Sequence, residues 1–310
     1  MLCRAGTPLG TLMARLGVLG WPVAHSRSPA MHNAALRELG LGEWSYQRLP
    51  VPPELFEETV RALAGAGFVG ANVTIPHKQA ALALAGSASA AAREIGAANT
   101  LTFAAGGGIA AENTDAPGLI AAMERAGHSP RGLTALVLGA GGSARAAVWA
   151  LREAGAREVS VCNRTHARAV ELASALDARA VELPERADIL INCTSVGLAG
   201  ALTGMGEGPG SSASGRLRHP LVRPARGGES ALNLLGLTHD LLGRYSYVID
   251  LVYREGSTPL LAAAREHNVP TLDGLEVLVA QGALSLELWT GRPAPIEVMR
   301  AAVLQAPAES

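Results

Sequence analysis

Residues 134–144 constrain this chain more than any other stretch. A short run, apolar after its first residue (Thr134-Ala135-Leu136-Val137-Leu138), opens directly into Gly139-Ala140-Gly141-Gly142-Ser143-Ala144, and an alanine-rich, mostly apolar stretch then continues to Ala154. The run predicts a buried strand and the continuation a helix, so the glycines fall between strand and helix, where the G-x-G-x-x-G/A fingerprint has physical meaning. Gly139 turns the chain tightly, Gly141 lets backbone approach a pyrophosphate, and Ala144 lets the helix pack close on the strand. The helix N-terminus then presents unpaired N–H groups to phosphate. A glycine-rich hexapeptide alone reads as a tight turn; the flanking strand and helix make dinucleotide binding the better reading.

The next strand, Glu158 to Cys162, ends in Asn163-Arg164-Thr165, with Arg168 one turn further on. A carboxylate at this place would accept from a ribose 2′-hydroxyl, whereas arginine pairs with a 2′-phosphate that a carboxylate would repel. NADP is therefore preferred to NAD. A further strand, Asp188 to Asn192, leads into Cys193-Thr194-Ser195-Val196-Gly197, a polar loop at the carboxyl end of a strand. No G-x-S-x-G surrounds Ser195, so no nucleophile is assigned there. Asp250-Leu251-Val252-Tyr253 ends another apolar strand, from which Tyr253 can project toward a ligand.

The first half is also α/β. Val18-Leu19-Gly20 reads as a strand, followed by the polar loop His25-Ser26-Arg27-Ser28 and a helix with Ser28 as N-cap, Pro29 as first residue and Gly40 as terminator. Helices are expected over Glu54–Leu63 and Gln79–Ala92, and strands over Phe68–Val73 and Ala98–Phe103. Alternation of strand and helix predicts a mostly parallel sheet. Two polar motifs interrupt the apolar pattern: Asn72-Val73-Thr74-Ile75-Pro76-His77-Lys78 and Asn113-Thr114-Asp115. Singly, Lys78 reads as a solvated lysine and Asp115 as a helix cap; a pair of proton-handling side chains ahead of a cofactor fold instead suggests a dehydrogenase.

Length and charge bound the rest. The 310 residues suffice for two domains, and 26 basic against 27 acidic side chains point to a small-molecule substrate, not to nucleic acid or membrane. Cys3, Cys162 and Cys193 fit neither a disulfide framework nor a zinc site, so no metal is expected, and a reducing, cytoplasmic compartment is. No segment has the length and apolarity of a membrane span, and the first sixteen residues read as a loose extension.

In order, these motifs resemble the shikimate dehydrogenase family: Gly20-x-Pro22-x-x-His25-Ser26-x-Ser28-Pro29-x-x-His32-Asn33, then Asn72-Val73-Thr74-x-Pro76-x-Lys78, Gly96-Ala97-Ala98-Asn99-Thr100 and Asn113-Thr114-Asp115. Gly139-Ala140-Gly141-Gly142, Asn163-Arg164-Thr165, Asn192-Cys193-Thr194-Ser195, Asp250-Leu251-Val252-Tyr253, Gln281 and Trp289-Thr290-Gly291 continue the series, so the likeness covers most of residues 17 to 303. The resemblance implies reversible, NADP-dependent interconversion of shikimate and 3-dehydroshikimate. It implies Lys78 and Asp115 as the catalytic pair and Ser26, Ser28, Thr74, Asn99, Tyr253 and Gln281 as substrate residues. For the cofactor it implies Gly139, Ala140, Gly141, Gly142, Ser143, Ala144, Asn163, Arg164, Thr165, Arg168, Thr194, Ser195 and Gly274. The paired serines favour shikimate over quinate, whose additional hydroxyl needs room in the same region.

The resemblance further implies an α/β substrate domain from residues 1–114 and 274–310, closed by the C-terminal helix, around a Rossmann-type NADP domain over 115–273. Three departures stand out: Ala116-Pro117 after Asp115 where glycine is common, Leu198 where methionine is usual, and an extra stretch near 199–246. That stretch includes Gly204 to Gly215, rich in Gly and Ser, and Arg216, Arg218, Arg223 and Arg226; it reads as a flexible surface insertion. A quinate-active enzyme with relaxed cofactor use and a non-catalytic NADP-binding regulator are the alternatives, and a homodimer is kept as a possible assembly.

Overall fold

A computed structural model describes residues 13–104, 106–197 and 231–306. Cys3, Leu198, Gly204 to Gly215 and the arginines at 216, 218, 223 and 226 lie outside them. The chain forms two compact units that divide at Arg93/Glu94, Gly96/Ala97, Thr114/Asp115 and Gln281/Gly282.

The first unit begins with β1 (Arg15–Gly20), α1 (Ser28–Glu38) and β2 (Ser45–Pro50), and a 3-10 turn (Pro53–Leu55) leads into α2 (Phe56–Leu63). β3 (Phe68–Val73), α3 (Lys78–Leu84), β4 (Ser87–Ala88), α4 (Ala90–Ile95), β5 (Thr100–Phe103) and β6 (Ile109–Glu112) follow. They build a six-stranded sheet in the order β2-β1-β3-β5-β6-β4. β1 runs parallel to both β2 and β3, while β5 is antiparallel to β3 and to β6. Leu19, Phe56, Val60, Phe68, Val73, Leu101 and Phe103 form part of its core.

The second unit comprises α5 (Asp115–Arg125), β7 (Thr134–Leu138), α6 (Gly142–Glu153), β8 (Glu158–Cys162), α7 (His166–Ala175), β9 (Arg179–Val181) and β10 (Ile189–Asn192). After them come α8 (Ala231–Leu234), α9 (His239–Leu242), β11 (Tyr247–Asp250), α10 (Pro259–Glu266), β12 (Thr271–Asp273) and α11 (Gly274–Thr290). Its sheet is parallel throughout, in the order β12-β11-β10-β7-β8-β9. β7 lies centrally and the chain winds outward from it in both directions, so the strand order reverses between β7 and β10, where a doubly wound sheet opens a ligand crevice at its carboxyl ends. One face is covered by Leu119, Val148, Leu151, Leu172 and Val277, the other by Leu232, Leu242, Leu260 and Leu261. Burial on both faces is why these strands are almost wholly apolar. α12 (Ile296–Gln305) returns to pack on α1 of the first unit.

Several boundaries differ from expectation. The helix expected over Gln79–Ala92 is two helices. Gly86 N and Ser89 N donate to Ile109 O and Ala111 O, drawing the intervening residues into β4, and Ser89 Oγ accepts from Ala92 N at 3.1 Å to restart the helix. Ser28 is the first residue of α1, and Arg27 takes the cap position. The helix expected from Glu54 begins as the 3-10 turn, and β2 and β6, which carried no strong period-2 signal, are additional strands. Arg15 and Leu16, placed in the loose extension, belong to β1. Part of the supposed surface insertion is core: Leu232, Leu235, Leu237 and Leu242, in and around α8 and α9, are all buried. The units divide within α11 instead of before it, because Val277 is buried in the second unit's core while Gly282 meets Met31 and His32 of the first.

Candidate active site

The cofactor side begins where β7 ends. Gly139 has φ +112°, and a Cβ there would stand 3.2 Å from the backbone of Cys193, so glycine is required both by conformation and by the closeness of the chain leaving β10. Gly141 caps α6 in an extended conformation with no side-chain hydrogen bond, and a Cβ added there would meet nothing within 4 Å. Ala144 is fully buried. The first turn of α6 carries no acidic residue, and a helix N-terminus of this kind suits a phosphate. Ala140, Gly142 and Ser143 complete that turn.

Beyond β8, Asn163 Nδ2 donates to Thr165 O at 2.9 Å and closes the turn, and Thr165 caps α7 without a side-chain bond. Arg164 and Arg168 are exposed, and neither forms an ion pair among the described residues. These two cations beside an acid-free turn fit a dinucleotide that carries an additional phosphate.

The loop after β10 is internally tied. Thr194 Oγ1 donates to Asn192 Oδ1 at 2.7 Å and accepts from Val196 N, so the Thr194 hydroxyl shapes the loop, while Ser195 is exposed. Asn192 Nδ2 donates to the buried Asp250 carboxylate at 2.9 Å. Burial lifts that carboxyl to about 6, against the hydrogen bonds that Thr258, Val252 and Asn192 donate to it. Gly274 serves packing: a Cβ would fall 2.5 Å from Leu251 O, so glycine lets α11 start against the end of β11. Gln281 Nε2 donates to Leu278 O within α11, and Gly118 of α5 leaves room for its backbone. Tyr253 is half-buried on the loop after β11.

In the first unit, β1 and β3 are neighbours and their carboxyl ends release adjacent loops, joined where Trp21 N donates to Ile75 O at 2.9 Å. One loop carries Ser26 and Ser28, both buried, with Ser28 N donating to Ser26 Oγ at 3.3 Å. Arg48 Nε donates to Ser26 O and fixes the turn from outside. The other loop carries Thr74 and Lys78. A Cβ on Gly20 would stand 2.5 Å from Thr74 Cγ2, so Gly20 makes room for that threonine. Lys78 is the first residue of α3 and only 9 % exposed, far from the solvated lysine its local sequence suggests. His77 anchors it: its Nε2 meets Val51 O at 2.7 Å and its ring stacks on Phe56 at 4.4 Å. Burial holds that imidazole below its ordinary value, so it is a neutral strut.

Asn99 accepts from Thr114 N at 2.7 Å and donates to Thr114 Oγ1 at 2.9 Å. Since Asp115 follows Thr114 directly and opens α5, this anchor fixes the backbone from which the Asp115 carboxylate projects. Behind Asn99 lies a buried network that sequence reasoning missed. Asn72 Nδ2 reaches Thr100 Oγ1 and Ser285 Oγ, Tyr46 OH donates to Asn72 Oδ1 at 2.8 Å, and Ser285 also meets Thr114 Oγ1 at 3.0 Å. Each partner is ordinary in its own segment, and only the pairing of β3 with β5 and the return of α11 bring them together. Among the described residues no group of three or more metal-ligating side chains occurs.

A doubly wound parallel sheet with a glycine turn at its switch point, joined to a second α/β unit presenting a buried lysine and two serines, defines a dinucleotide-dependent dehydrogenase. Residues 18–101 match the family described as the shikimate dehydrogenase substrate binding domain, 122–198 match shikimate/quinate 5-dehydrogenase, and 274–304 match the shikimate 5′-dehydrogenase C-terminal domain. The NADP(+) shikimate dehydrogenase of Methanopyrus kandleri is 41% identical over 94% of both chains, and that of Paracoccus denitrificans 40% identical over 93% of this chain and 95% of its own. The crystal structure of shikimate 5-dehydrogenase from Thermus thermophilus in complex with NADP(H) and shikimate superposes with a TM-score of 0.77 at 39% identity, covering 94% of this chain and 98% of that one. This chain belongs to the shikimate dehydrogenase family.

Proposed function

We propose that this protein is an NADP-dependent shikimate dehydrogenase, an oxidoreductase that reversibly reduces 3-dehydroshikimate to shikimate and so supplies chorismate and aromatic amino-acid biosynthesis. The observation that carries the reading is the buried Lys78, held at the start of α3 beside the loop that bears Ser26 and Ser28. Gly139 to Ala144 would hold the pyrophosphate of NADP, and Arg164 with Arg168 its 2′-phosphate, while Asn163, Thr165, Thr194, Ser195 and Gly274 shape the surrounding loops; when bound, the cofactor would supply the hydride chemistry.

On the substrate side Ser26 and Ser28 donate to the carboxylate, and Thr74, Asn99, Tyr253 and Gln281 pair with ring hydroxyls. As hydride leaves the carbon, the hydroxyl proton must leave its oxygen; in the reverse direction the oxygen gains one. Lys78 and Asp115 are assigned to that proton, Lys78 as the group that exchanges it and Asp115 as the carboxylate that orients lysine and oxygen. The presence of Ser26 and Ser28 together supports shikimate over quinate, whose additional hydroxyl needs room in the same region. The proposal includes a cytoplasmic address and a homodimer, with neither nucleic acid nor membrane as partner; near-zero net charge supports the last point, and no helix among the described residues is long and apolar enough to cross a membrane.

Replacing Lys78 with Ala tests the assignment. Turnover is expected to fall by about 10²- to 10⁴-fold, the range of a positioned acid-base group, with NADP affinity nearly unchanged by titration. Near-normal turnover would refute the role of Lys78.

A further inference from the structure

Asp250 is an unexpected residue to find at the end of a central strand. β11 is otherwise Tyr247-Val248-Ile249, buried throughout, and the Asp250 side chain is 1% exposed. Three donors converge on its carboxylate: Asn192 Nδ2 at 2.9 Å and Val252 N at 3.1 Å on Oδ1, and Thr258 Oγ1 at 2.6 Å on Oδ2. Each donor leads into a different piece of backbone. Asn192 Oδ1 accepts from both the N–H and the hydroxyl of Thr194, and so sets the loop after β10. Val252 N lies in the loop after β11, one residue before Tyr253. Thr258 Oγ1 accepts from Leu261 N and caps α10, where that loop ends.

A buried carboxylate is a costly way to finish a strand. Desolvation raises it to about 6, Asp273 on the neighbouring strand adds repulsion, and an apolar side chain would suit the core better. Such violations of core chemistry concentrate where geometry is needed for function. An acceptor-only group is also the one that satisfies three donors at once; an amide would turn an NH₂ toward one of them.

We infer that Asp250 is a positioning residue for the reaction: it clamps the loop carrying Thr194 and Ser195 to the loop carrying Tyr253, so that the cofactor-side and substrate-side groups of the second unit keep one geometry during hydride transfer. The inference rests on the functional reading above. Asp250 itself bonds to Asn192, Val252 and Thr258 and not to the glycine turn or Arg164, so its loss is expected to cost the chemical step more than the affinity for NADP.

The test measures kcat and KM for shikimate oxidation in the full-length protein, with active sites counted by NADP titration, for the wild type, Asp250→Ala, Asp250→Asn and Thr258→Val. Asp250→Ala is expected to lower kcat per NADP-binding site about 100-fold, because a displacement near 1 Å at a reacting group costs about that much, while the NADP Kd, which the loop of Thr194 and Ser195 also affects, rises by a smaller factor of no more than about tenfold. Asp250→Asn, which keeps the Oδ1 acceptor, and Thr258→Val, which removes one donor, are expected to lose about tenfold. A merely structural role would lower the number of binding sites and leave kcat per site intact. An active wild type whose Asp250→Ala kcat per site is unchanged overturns the clamp, as do unchanged Asp250→Asn and Thr258→Val if Asp250→Ala does not fold. A wild type without activity toward shikimate overturns the functional reading as well.

Discussion

His32 is the residue whose burial says most about the substrate unit. It is fully enclosed, stacks on Tyr46 at 4.2 Å with planes 6° apart, and neither ring nitrogen has a hydrogen-bond partner among the described residues. Burial pushes its imidazole down to about 3, so the fold holds it neutral while the unfolded chain takes up a proton below about 6.5. A base whose folded value is depressed destabilises the fold as pH falls through that window, by up to about 1.4 kcal/mol per pH unit. Asp250 acts oppositely: its raised carboxyl binds a proton in the fold below about 6, which the unfolded chain does only near 4. The two partly cancel, so the informative quantity is the difference between wild type and His32→Phe. Urea unfolding midpoints of the wild type are expected to decline relative to the variant from pH 6.5 toward 4. Parallel curves would show that His32 is solvated. None of this was legible from the motif His32-Asn33, whose sequence signal is polar; the aromatic enclosure comes from β2 and α11, distant in sequence. Asn33, by contrast, exchanges two hydrogen bonds with the backbone of Tyr46, as a strand residue would.

At the scale of elements, the close approach of α11 to β3 governs the first unit. Trp289 Nε1 donates to Leu101 O at 3.0 Å, and its indole lies where a Cβ on Gly70 would be, 2.0 Å from Nε1 and 2.5 Å from the adjacent ring carbon. Gly70 sits inside β3 without a positive φ, so the glycine is there for the tryptophan. Gly70→Ala must displace the ring and break its hydrogen bond, and is expected to destabilise the protein by about 1–3 kcal/mol, the usual cost of overpacking, seen as a lower thermal midpoint. An unchanged midpoint would mean that α11 does not pack as described. Element type was legible wherever the apolar pattern was continuous: β3 and β8 fall where the sequence places them, and Gly40, at φ +69°, ends α1 as expected. It failed where long-range pairing decides. The alanine-rich stretch after Lys78 reads as one helix although Gly86, Ser87 and Ser89 weaken it, and pairing with the edge of β6 draws Ser87 and Ala88 into a strand. Leu232 and Leu242 looked like part of an insertion because the polar stretch before them masked their apolar spacing.

For the molecule as a whole, the glycine fingerprint made the β7-turn-α6 start of one sheet legible, since its strand, turn and helix contexts are local. The other unit was legible through ordered motifs, and its chemistry through residue types alone. What stayed hidden was the supporting structure: Asn72, Thr100, Thr114 and Ser285 around Asn99, and Asn192, Asp250 and Thr258 behind the loop of Thr194. These groups act through contacts spanning up to 213 residues of sequence, and no local pattern carries such information. They hold Asn99 and Thr194, which are proposed to meet substrate and cofactor, in fixed positions. The proposed reaction is the NADP-dependent interconversion of shikimate and 3-dehydroshikimate. Following absorbance of the reduced nicotinamide as purified protein oxidises shikimate or quinate, each with NADP or NAD, tests it most directly. Shikimate with NADP is expected to give a kcat/KM at least about tenfold above each other pair, one hydrogen-bonding or phosphate contact being worth about that factor. No cofactor reduction with any pair would contradict it.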